Sequence, residues 1–283
     1  MQDYQHMLFP YAYNILGTAE DAKDAIQDVL YKFLAADKEE IADPKNYLIR
    51  SVINQSINIK NQRKKLQLGD AWLPEPVDTE GADTNINLNE IVSYSLLILL
   101  EKLNARERAV FILKEAFAYS HEEISKTLSI SVEHSRKLLS RAKQKIDQVH
   151  APVTVQKNEG VTPAVLEKYM QAIRSRDVKA LENILTEDIA YYADGGTVVK
   201  VFAKHCTGNQ EVADLLVFVF HKYGADWTIE AGEFNHQPAL LFYQGDVLKS
   251  CQVFGIEPET NKIFQIGNVL DPAKLPAIGR GVE

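Results

Sequence analysis

The chain has 283 residues, 46% of them hydrophobic and 25% charged, with a formal net charge of −8; this is the balance of a globular protein of two or three compact units. No run of about 18 apolar residues marks a membrane span, and the start MQDYQHMLF lacks the basic and apolar regions of a signal peptide. Cys206 and Cys251 have no metal-ligand spacing and make no disulfide framework, so we expect small core residues in a reducing compartment, with no metal and no cofactor.

The negative total hides a local polarity. Between Glu20 and Asp43 acids outnumber lysines, whereas Lys45, Arg50, Lys60, Arg63, Lys64 and Lys65 follow with no acid among them. An acidic helix followed by a basic one calls for partners of opposite sign, and a phosphate backbone responds to the local patch rather than to the total.

Thr18 and Asp21 have capping-box spacing and open the acidic helix. Ala22, Ala25, Ile26, Val29, Leu30 and Phe33 form its inner stripe, and Asp21, Asp24 and Asp28 line another face. Taken alone that face reads as solvated; the functional alternative is a docking surface for a basic protein. Asp43-Pro44, a cap residue followed by a first-turn proline, starts the basic helix. Leu48, Ile49, Val52, Ile53 and Ile57 supply its apolar side. Arg50, Asn54, Asn58 and Asn61 fall on one polar line that ends in Arg63-Lys64-Lys65. Amide side chains can read base edges and arginine can hold phosphate or guanine.

Residues 66–89 mix turn formers and acids without a sustained period and read as an extended connection. Within it Trp72-Leu73-Pro74-Glu75-Pro76 is an apolar patch stiffened by two prolines. From Leu103 to Ile146 three helical patterns follow one another. Asn104 with Glu107, and Ser120 with Glu123, are capping pairs. Val110, Leu113 and Phe117 form the buried face of the first helix, and Ile124 and Leu128 that of the second. The link Ser129-Ile130-Ser131 leads to the third helix from Val132, whose expected inner stripe is Val132, Leu139, Ala142 and Ile146. Glu133, Arg136, Lys137, Ser140, Arg141 and Gln144 lie opposite, with Lys143 and Lys145 extending the charge. Charge alone would describe a solvated bundle face. The tri-helical layout with so short a link favours a helix-turn-helix, which sets its last helix into a DNA major groove.

The order of acidic helix, Pro-started basic helix, polar linker and helix-turn-helix resembles the extracytoplasmic-function sigma factors of bacterial RNA polymerase, over roughly the first 150 residues. AEDAKDAIQDVLYKF looks like their second region, DPKNYLIRSVINQSINIKNQRKK like the part that melts the minus-ten element, and the stretch 103–146 like the fourth region. The resemblance implies that Asp21, Asp24, Gln27 and Asp28 face the clamp helices of the polymerase β′ subunit. It puts the loop Ile41-Ala42-Asp43 around a flipped base and Asp43, Asn46, Arg50, Asn54, Asn58, Arg63 and Lys64 along the minus-ten DNA. Glu133, Arg136, Lys137, Ser140 and Arg141 are then the minus-thirty-five readers.

The rest of the chain extends the resemblance. After the polar link 151–161, Thr162-Pro163 starts a helix with Leu166, Tyr169, Met170 and Ile173 inward. A second helix near Asp177, the strand-like DIAYYAD, a helix from Asn209 to Tyr223 and four strand patterns follow. This α+β order, read as helices on a curved antiparallel sheet, looks like a SnoaL-like domain of the NTF2 cone superfold. One sigma subgroup carries such a domain, together with a WLPEP linker motif. Its DGGGK motif is represented here by Asp194-Gly195-Gly196 and its terminal NPDKL by Asp271-Pro272-Ala273-Lys274-Leu275. The resemblance implies interdomain regulatory contacts through Trp72, Leu73, Pro74, Asp194, Gly195, Gly196, Asp271, Pro272, Lys274 and Leu275.

The expected organisation is therefore multi-domain, with two all-α units and an α+β cone. Residues 1–66 form region 2, 67–89 a linker, 90–150 the helix-turn-helix unit, 151–161 a second linker and 162–283 the regulatory domain. The expected partners are core RNA polymerase and promoter DNA in the cytoplasm, with a small-molecule ligand of the cone left unassigned. Asp194, His205, His221 and Tyr191 are acid–base candidates by residue type alone, and no catalytic residue is expected. A one-component regulator with a ligand-sensing domain is the competing reading, and it leaves the acidic and first basic helices without a role. An NTF2-like isomerase or cyclase with a DNA-binding appendage leaves the whole first half without one.

Overall fold

A computed structural model describes residues 2–36, 41–64, 72–79, 90–147, 163–224 and 226–278. The chain divides into two compact units. One is helical and holds residues 1–68, 81–92 and 99–149. The other is built on a sheet and holds residues 69–80, 93–98 and 150–283.

The helical unit begins with α1 (Gln2–Leu16), α2 (Ala19–Ala35) and α3 (Pro44–Lys64). Thr18 caps α2 by accepting the Asp21 amide. The expected stripe of α2 is buried in full, with Ala22, Ala25, Ile26, Val29, Leu30 and Phe33 at 8% exposure or less. Leu48, Ile49, Val52, Ile53 and Ile57 of α3 meet it with Leu8, Ala12, Tyr13 and Ile15 of α1. After the short helix α4 (Tyr94–Leu99) and a 3-10 turn (Leu100–Lys102) come α5 (Ala105–Glu115), α6 (His121–Leu128) and α7 (Val132–Asp147). Both expected capping boxes are present, Asn104 with Glu107 and Ser120 with Glu123. Such reciprocal bonds satisfy amides that a helix start would otherwise leave open. Helix α5 is buried over nearly all its length, Arg108 included. Phe117, expected on that helix, lies beyond its end and stacks on Tyr11 at 4.0 Å between centroids.

The stripe of α7 differs from the expected one. Ser135, Leu138, Ala142 and Ile146 are buried, while Val132 and Leu139 are only half-buried. The reason is a polar contact that hydrophobic periodicity does not register: the Ser135 hydroxyl sits 2.9 Å from Nδ1 of His121, and this rotates the face that meets α6.

The sheet unit contains α8 (Pro163–Ser175), α9 (Val178–Ile184), β1 (Leu185–Asp194), β2 (His205–Thr207), α10 (Asn209–Tyr223), β3 (Thr228–Phe234), β4 (Gln237–Gln244), β5 (Val247–Ile256), β6 (Ile263–Val269) and the short α11 (Leu275–Ile278). The strand order is β2-β1-β6-β5-β4-β3. The sheet is mixed rather than wholly antiparallel, because β1 pairs in parallel with β6. Strand β2, which the sequence pattern did not reveal, pairs with β1 through only Ala190, Tyr191 and Tyr192. On one face Tyr169, Leu181, Ile189, Leu216, Leu240, Phe242, Phe254 and Ile266 form the core with α8, α9 and α10. The other face receives α4: a side chain at Gly255 would strike Ser95, and one at Gly267 would strike Tyr94 and Ile98. Ser93–Ile98, expected within the helix-turn-helix unit, thus group with the sheet.

Candidate functional site

The polar faces of α2 and α3 present two different surfaces. On α2, Asp24, Gln27 and Asp28 are exposed. Tyr31, one turn further along the same face, is 77% exposed, and Leu34 is 50% exposed; neither carries a charge that would mark it as surface in the sequence. Asp21 does not share this surface. Its carboxylate is buried, accepts the Thr18 hydroxyl at 2.6 Å and is ion-paired with Arg63. Arg63 is thereby held on the acidic helix instead of lying along the α3 row.

At the start of α3, Asp43 accepts the Asn46 backbone amide at 3.1 Å and its side-chain amide at 2.5 Å. These bonds hold the Asp43 carboxyl below the usual carboxylate range. Ala36, Ile41, Ala42, Asp43, Asn46, Tyr47 and Arg50 wall an open hollow of about 470 Å³. A second hollow of about 360 Å³ runs on from Tyr47 and Arg50 past Ser51, Asn54, Gln55 and Asn58. Tyr47, which lines both, leans on Phe33 with centroids 6.0 Å apart. The walls mix amide, carboxylate and guanidinium groups with one aromatic ring, a set able to stack a planar ring and bond its edge. The Lys64 side chain lies outside the described residues.

The helix-turn-helix is closed by Ser129, which ends α6 in the left-handed region at φ 53°. Ser131 then caps α7 by accepting the His134 amide at 3.1 Å. Glu133, Arg136, Lys137, Ser140 and Arg141 are all exposed on one side of α7, with Glu133 bonded to Lys137 at 2.7 Å. The turn of this motif touches α3: Arg50 donates to the Ser129 hydroxyl at 2.6 Å, and Asn54 to the Thr127 carbonyl at 3.4 Å.

A buried ionic group lies behind that contact. Glu101 accepts from Lys60 of α3 at 3.0 Å and pairs with the fully buried Arg108 of α5. Lys60 also donates to the Leu16 carbonyl and Arg108 to the Asn14 carbonyl, at 3.2 and 2.8 Å. Burial, with the Arg108 charge second, brings the Lys60 ammonium down to about 8.

In the sheet unit, the expected regulatory motifs converge. The buried Asp194 carboxylate accepts the Leu73 amide at 2.9 Å and the Gly196 amide at 2.9 Å, and it pairs with Lys274. Lys274 also donates to the Leu73 carbonyl and lies 4.4 Å over the Trp72 ring. Gly195 and Gly196 make this possible: a Cβ at Gly195 would overlap the Val199 carbonyl, and Gly196 has φ +61° against the Asp271 carboxylate. Leu73, Pro74, Glu75 and Pro76 are buried. Beyond them Val77 exchanges two 2.9 Å bonds with Asn235 at the β3–β4 turn. Residues 72–79 are therefore a strap fastened at both ends of the sheet unit.

The acid–base candidates of this unit are engaged separately. Asp194 belongs to the strap, His205 is exposed beside Tyr192, and His221 bonds Arg176 and the Ile173 carbonyl. Tyr191 alone lines a cavity. Among the described residues no cluster of His, Cys, Asp and Glu could hold a metal ion, and no helix is long and apolar enough to cross a membrane.

Comparison with known proteins agrees with this layout. Residues 1–66 match the model of sigma-70 region 2, and residues 95–146 that of sigma-70 region 4. The chain is 25% identical over 228 residues to the ECF RNA polymerase sigma factor SigJ of Mycobacterium tuberculosis, covering 78% of this chain and 72% of that protein. It is 24% identical over 270 residues to the probable ECF RNA polymerase sigma factor SigI of the same species, covering 93% and 89%. The crystal structure of the M. tuberculosis extracytoplasmic function sigma factor SigJ superposes with a TM-score of 0.73 at 21% identity, over 96% of each chain.

Proposed function

We propose that the chain works as an extracytoplasmic-function sigma factor with a fused NTF2-like domain, a reading supported by its sigma-70 region 2 and region 4 matches and its sigma-factor relatives, and that its parts divide the work of binding polymerase and opening a promoter. The observation that carries the division is that α2, α3 and α7 present three separate polar surfaces with the chemistry each task needs, that of α3 being in part bonded to the turn before α7.

The α2 face of Asp24, Gln27, Asp28 and Tyr31 docks on the clamp helices of the polymerase β′ subunit. Its carboxylates meet basic groups, and Tyr31 supplies the apolar contact that fixes an interface core. Asp21 contributes from within by holding Arg63 and the start of α2. The hollow before α3 receives a minus-ten base turned out of the duplex, with Asp43 and Asn46 at its edge, while Arg50, Asn54 and Asn58 follow the melted strand. Flipping a base costs a few kcal/mol, which the hollow and the α3 row offset. Helix α7 lies in the major groove of the minus-thirty-five element, with Arg136 and Arg141 as base or phosphate contacts beside Glu133, Lys137 and Ser140.

In this reading residues 1–66 are the docking and melting unit and 90–150 the upstream reader. The strap joins this work to the last domain, residues 162–283, which regulates rather than catalyses. Trp72, Leu73 and Pro74 are held by Asp194 and Lys274, with Gly195, Gly196, Asp271, Pro272 and Leu275 shaping the turns around them. The protein works where polymerase and promoter are, in the cytoplasm.

The test is size-exclusion chromatography of the full chain with core RNA polymerase at low salt. Co-elution is expected, and it should be weakened in the Asp24→Lys/Asp28→Lys variant without loss of helicity. Separate elution of the unaltered chain would refute the assignment, and unchanged binding of the variant would move the docking face elsewhere. For the regulatory part, Lys274→Met should change transcript yield from the native promoter while leaving promoter choice intact; an unaltered yield would remove the strap from regulation.

A further inference from the structure

The sheet unit encloses a cavity of about 270 Å³ between α10 and the sheet, near the lower end of the range of about 300–1,000 Å³ usual for small-molecule sites. Its walls are mainly apolar, with Leu215 and Val219 from α10, Trp227 before β3 and Leu270 after β6. The polar groups that reach it are Tyr191, Lys200, Lys249 and Asn268, and no carboxylate or histidine is among its lining residues. Lys200 and Lys249 make no ion pair among the described residues.

The buried polar groups form a directed chain. The Ser250 hydroxyl donates to Asn268 Oδ1 at 2.6 Å, and Asn268 Nδ2 donates to the Tyr191 hydroxyl at 2.8 Å. The Tyr191 oxygen already accepts, so its own hydrogen remains to be given. Burial pushes this phenol up to about 12, so it stays a donor at neutral pH. Phenol and two ammonium groups all donate to whatever enters. At the rim, Phe202 and Tyr223 line the cavity and are 52% and 47% exposed. Lys222 lies 5.0 Å over Phe202 and 5.5 Å over Tyr223. Large exposed aromatic surface beside a cavity is a mark of ligand entry.

We propose that this cavity is a binding site for a flat apolar carboxylic acid: the aromatic and aliphatic walls take the ring system, and Tyr191, Lys200 and Lys249 take the carboxylate. A neutral ring would leave the ammonium groups uncompensated, and a cationic one would be repelled. A small hydrophilic anion would leave the Trp227 and Leu215 walls uncovered. The site is independent of the proposed role in transcription, since it is defined by binding alone. Two of its lining residues are nonetheless bonded to the turn that holds the strap: the Val199 amide donates to the Gly195 carbonyl at 3.0 Å and the Leu270 amide to the Asp194 carbonyl at 2.7 Å.

The test is isothermal titration calorimetry of the full chain with 2-naphthoate, the neutral 2-naphthamide and the cation 2-naphthylmethylammonium. One-site, saturable binding of 2-naphthoate is expected, at least about tenfold tighter than the amide, with the cation weakest. The Lys200→Met/Lys249→Met variant should bring the acid down to the affinity of the amide and leave the amide unchanged. Leu215→Trp, which fills the cavity, should abolish binding of all three, with circular dichroism reporting whether the fold is kept. Absence of 2-naphthoate binding, equal affinity for acid and amide, or indifference of the acid to the lysine replacements would each overturn the proposal. The lysine variant keeps the test decisive should Leu215→Trp fail to fold, because Lys200 is exposed and Lys249 half-buried.

Discussion

Helices α3 and α7 carry comparable polar rows, yet the structure treats them differently. The row on α7 is open: Arg136, Lys137, Ser140 and Arg141 all face away from the helical unit. The row on α3 is partly occupied, with Arg50 and Asn54 bonded to the turn that precedes α7. The two rows therefore stand in different states of readiness. On the proposed division of work, α7 can meet upstream DNA as it stands, while α3 must first give up its contact with the helix-turn-helix to follow a melted strand. Behind that contact the group Lys60–Glu101–Arg108 holds α3 to α5, and its burial makes it the stronger part of the restraint.

The largest effect should come from that group. Arg108→Met removes a fully buried guanidinium and leaves Glu101 with Lys60 as the one remaining cation of the group, a loss of about 3–5 kcal/mol. Urea unfolding followed by circular dichroism measures it; a loss under about 1 kcal/mol would show that the ionic group does not hold α3. Next in size is a pH effect. Folded Lys60 releases its proton near 8, and the unfolded chain only near ~10.4. Between these values the unfolded state binds more protons, so stability from this group rises with pH, by up to about 3 kcal/mol. The stability difference between the unaltered chain and Lys60→Met should accordingly move in the unaltered chain's favour from pH 8 to pH 10, and a flat difference would contradict the buried state of the ammonium.

Replacing Arg136 or Arg141 by Ala should cost about 1–3 kcal/mol of promoter affinity for a good base contact, read by fluorescence anisotropy with upstream duplex alone. Because the α7 row is already open, the same cost should appear with the free chain and with the polymerase complex. A cost seen only in the complex would erase the difference between the two helices. The smallest effect belongs to Ser129→Ala, which removes one hydrogen bond worth about 1 kcal/mol. It should speed hydrogen exchange around 127–131 and lower the unfolding free energy by no more than about 1 kcal/mol; slower or equal exchange would mean that the Arg50 bond does not restrain the turn.

Much of this was legible from local pattern. The capping boxes at Asn104 and Ser120, the stripes of α2 and α3, and the exposed row of α7 all rest on chemistry within a few residues. The proposed docking face was legible only in part. Asp24, Gln27 and Asp28 are exposed as the spacing implied, but Asp21 on the same spacing is buried. Helical period places a residue on a face and does not say that a distant arginine will claim it. Tyr31 escaped notice because its exposure depends on which neighbours arrive, and a tyrosine at that spacing is ordinarily core.

What the sequence alone determined, then, is helices α2, α3 and α5 to α10, several of their caps and their charged faces, but not α1, α4 or α11, because hydrogen bonds to a helix end and periodic burial are local matters. The tertiary structure decided the parallel pairing of β1 with β6, the turning of α7 onto Ser135 and Leu138, and the bonding of Arg50 to Ser129. It also decided that Lys274, 80 residues away along the chain, should be the partner of Asp194. Each of these joins groups far apart in sequence, and only the closing of long loops by packing brings them together.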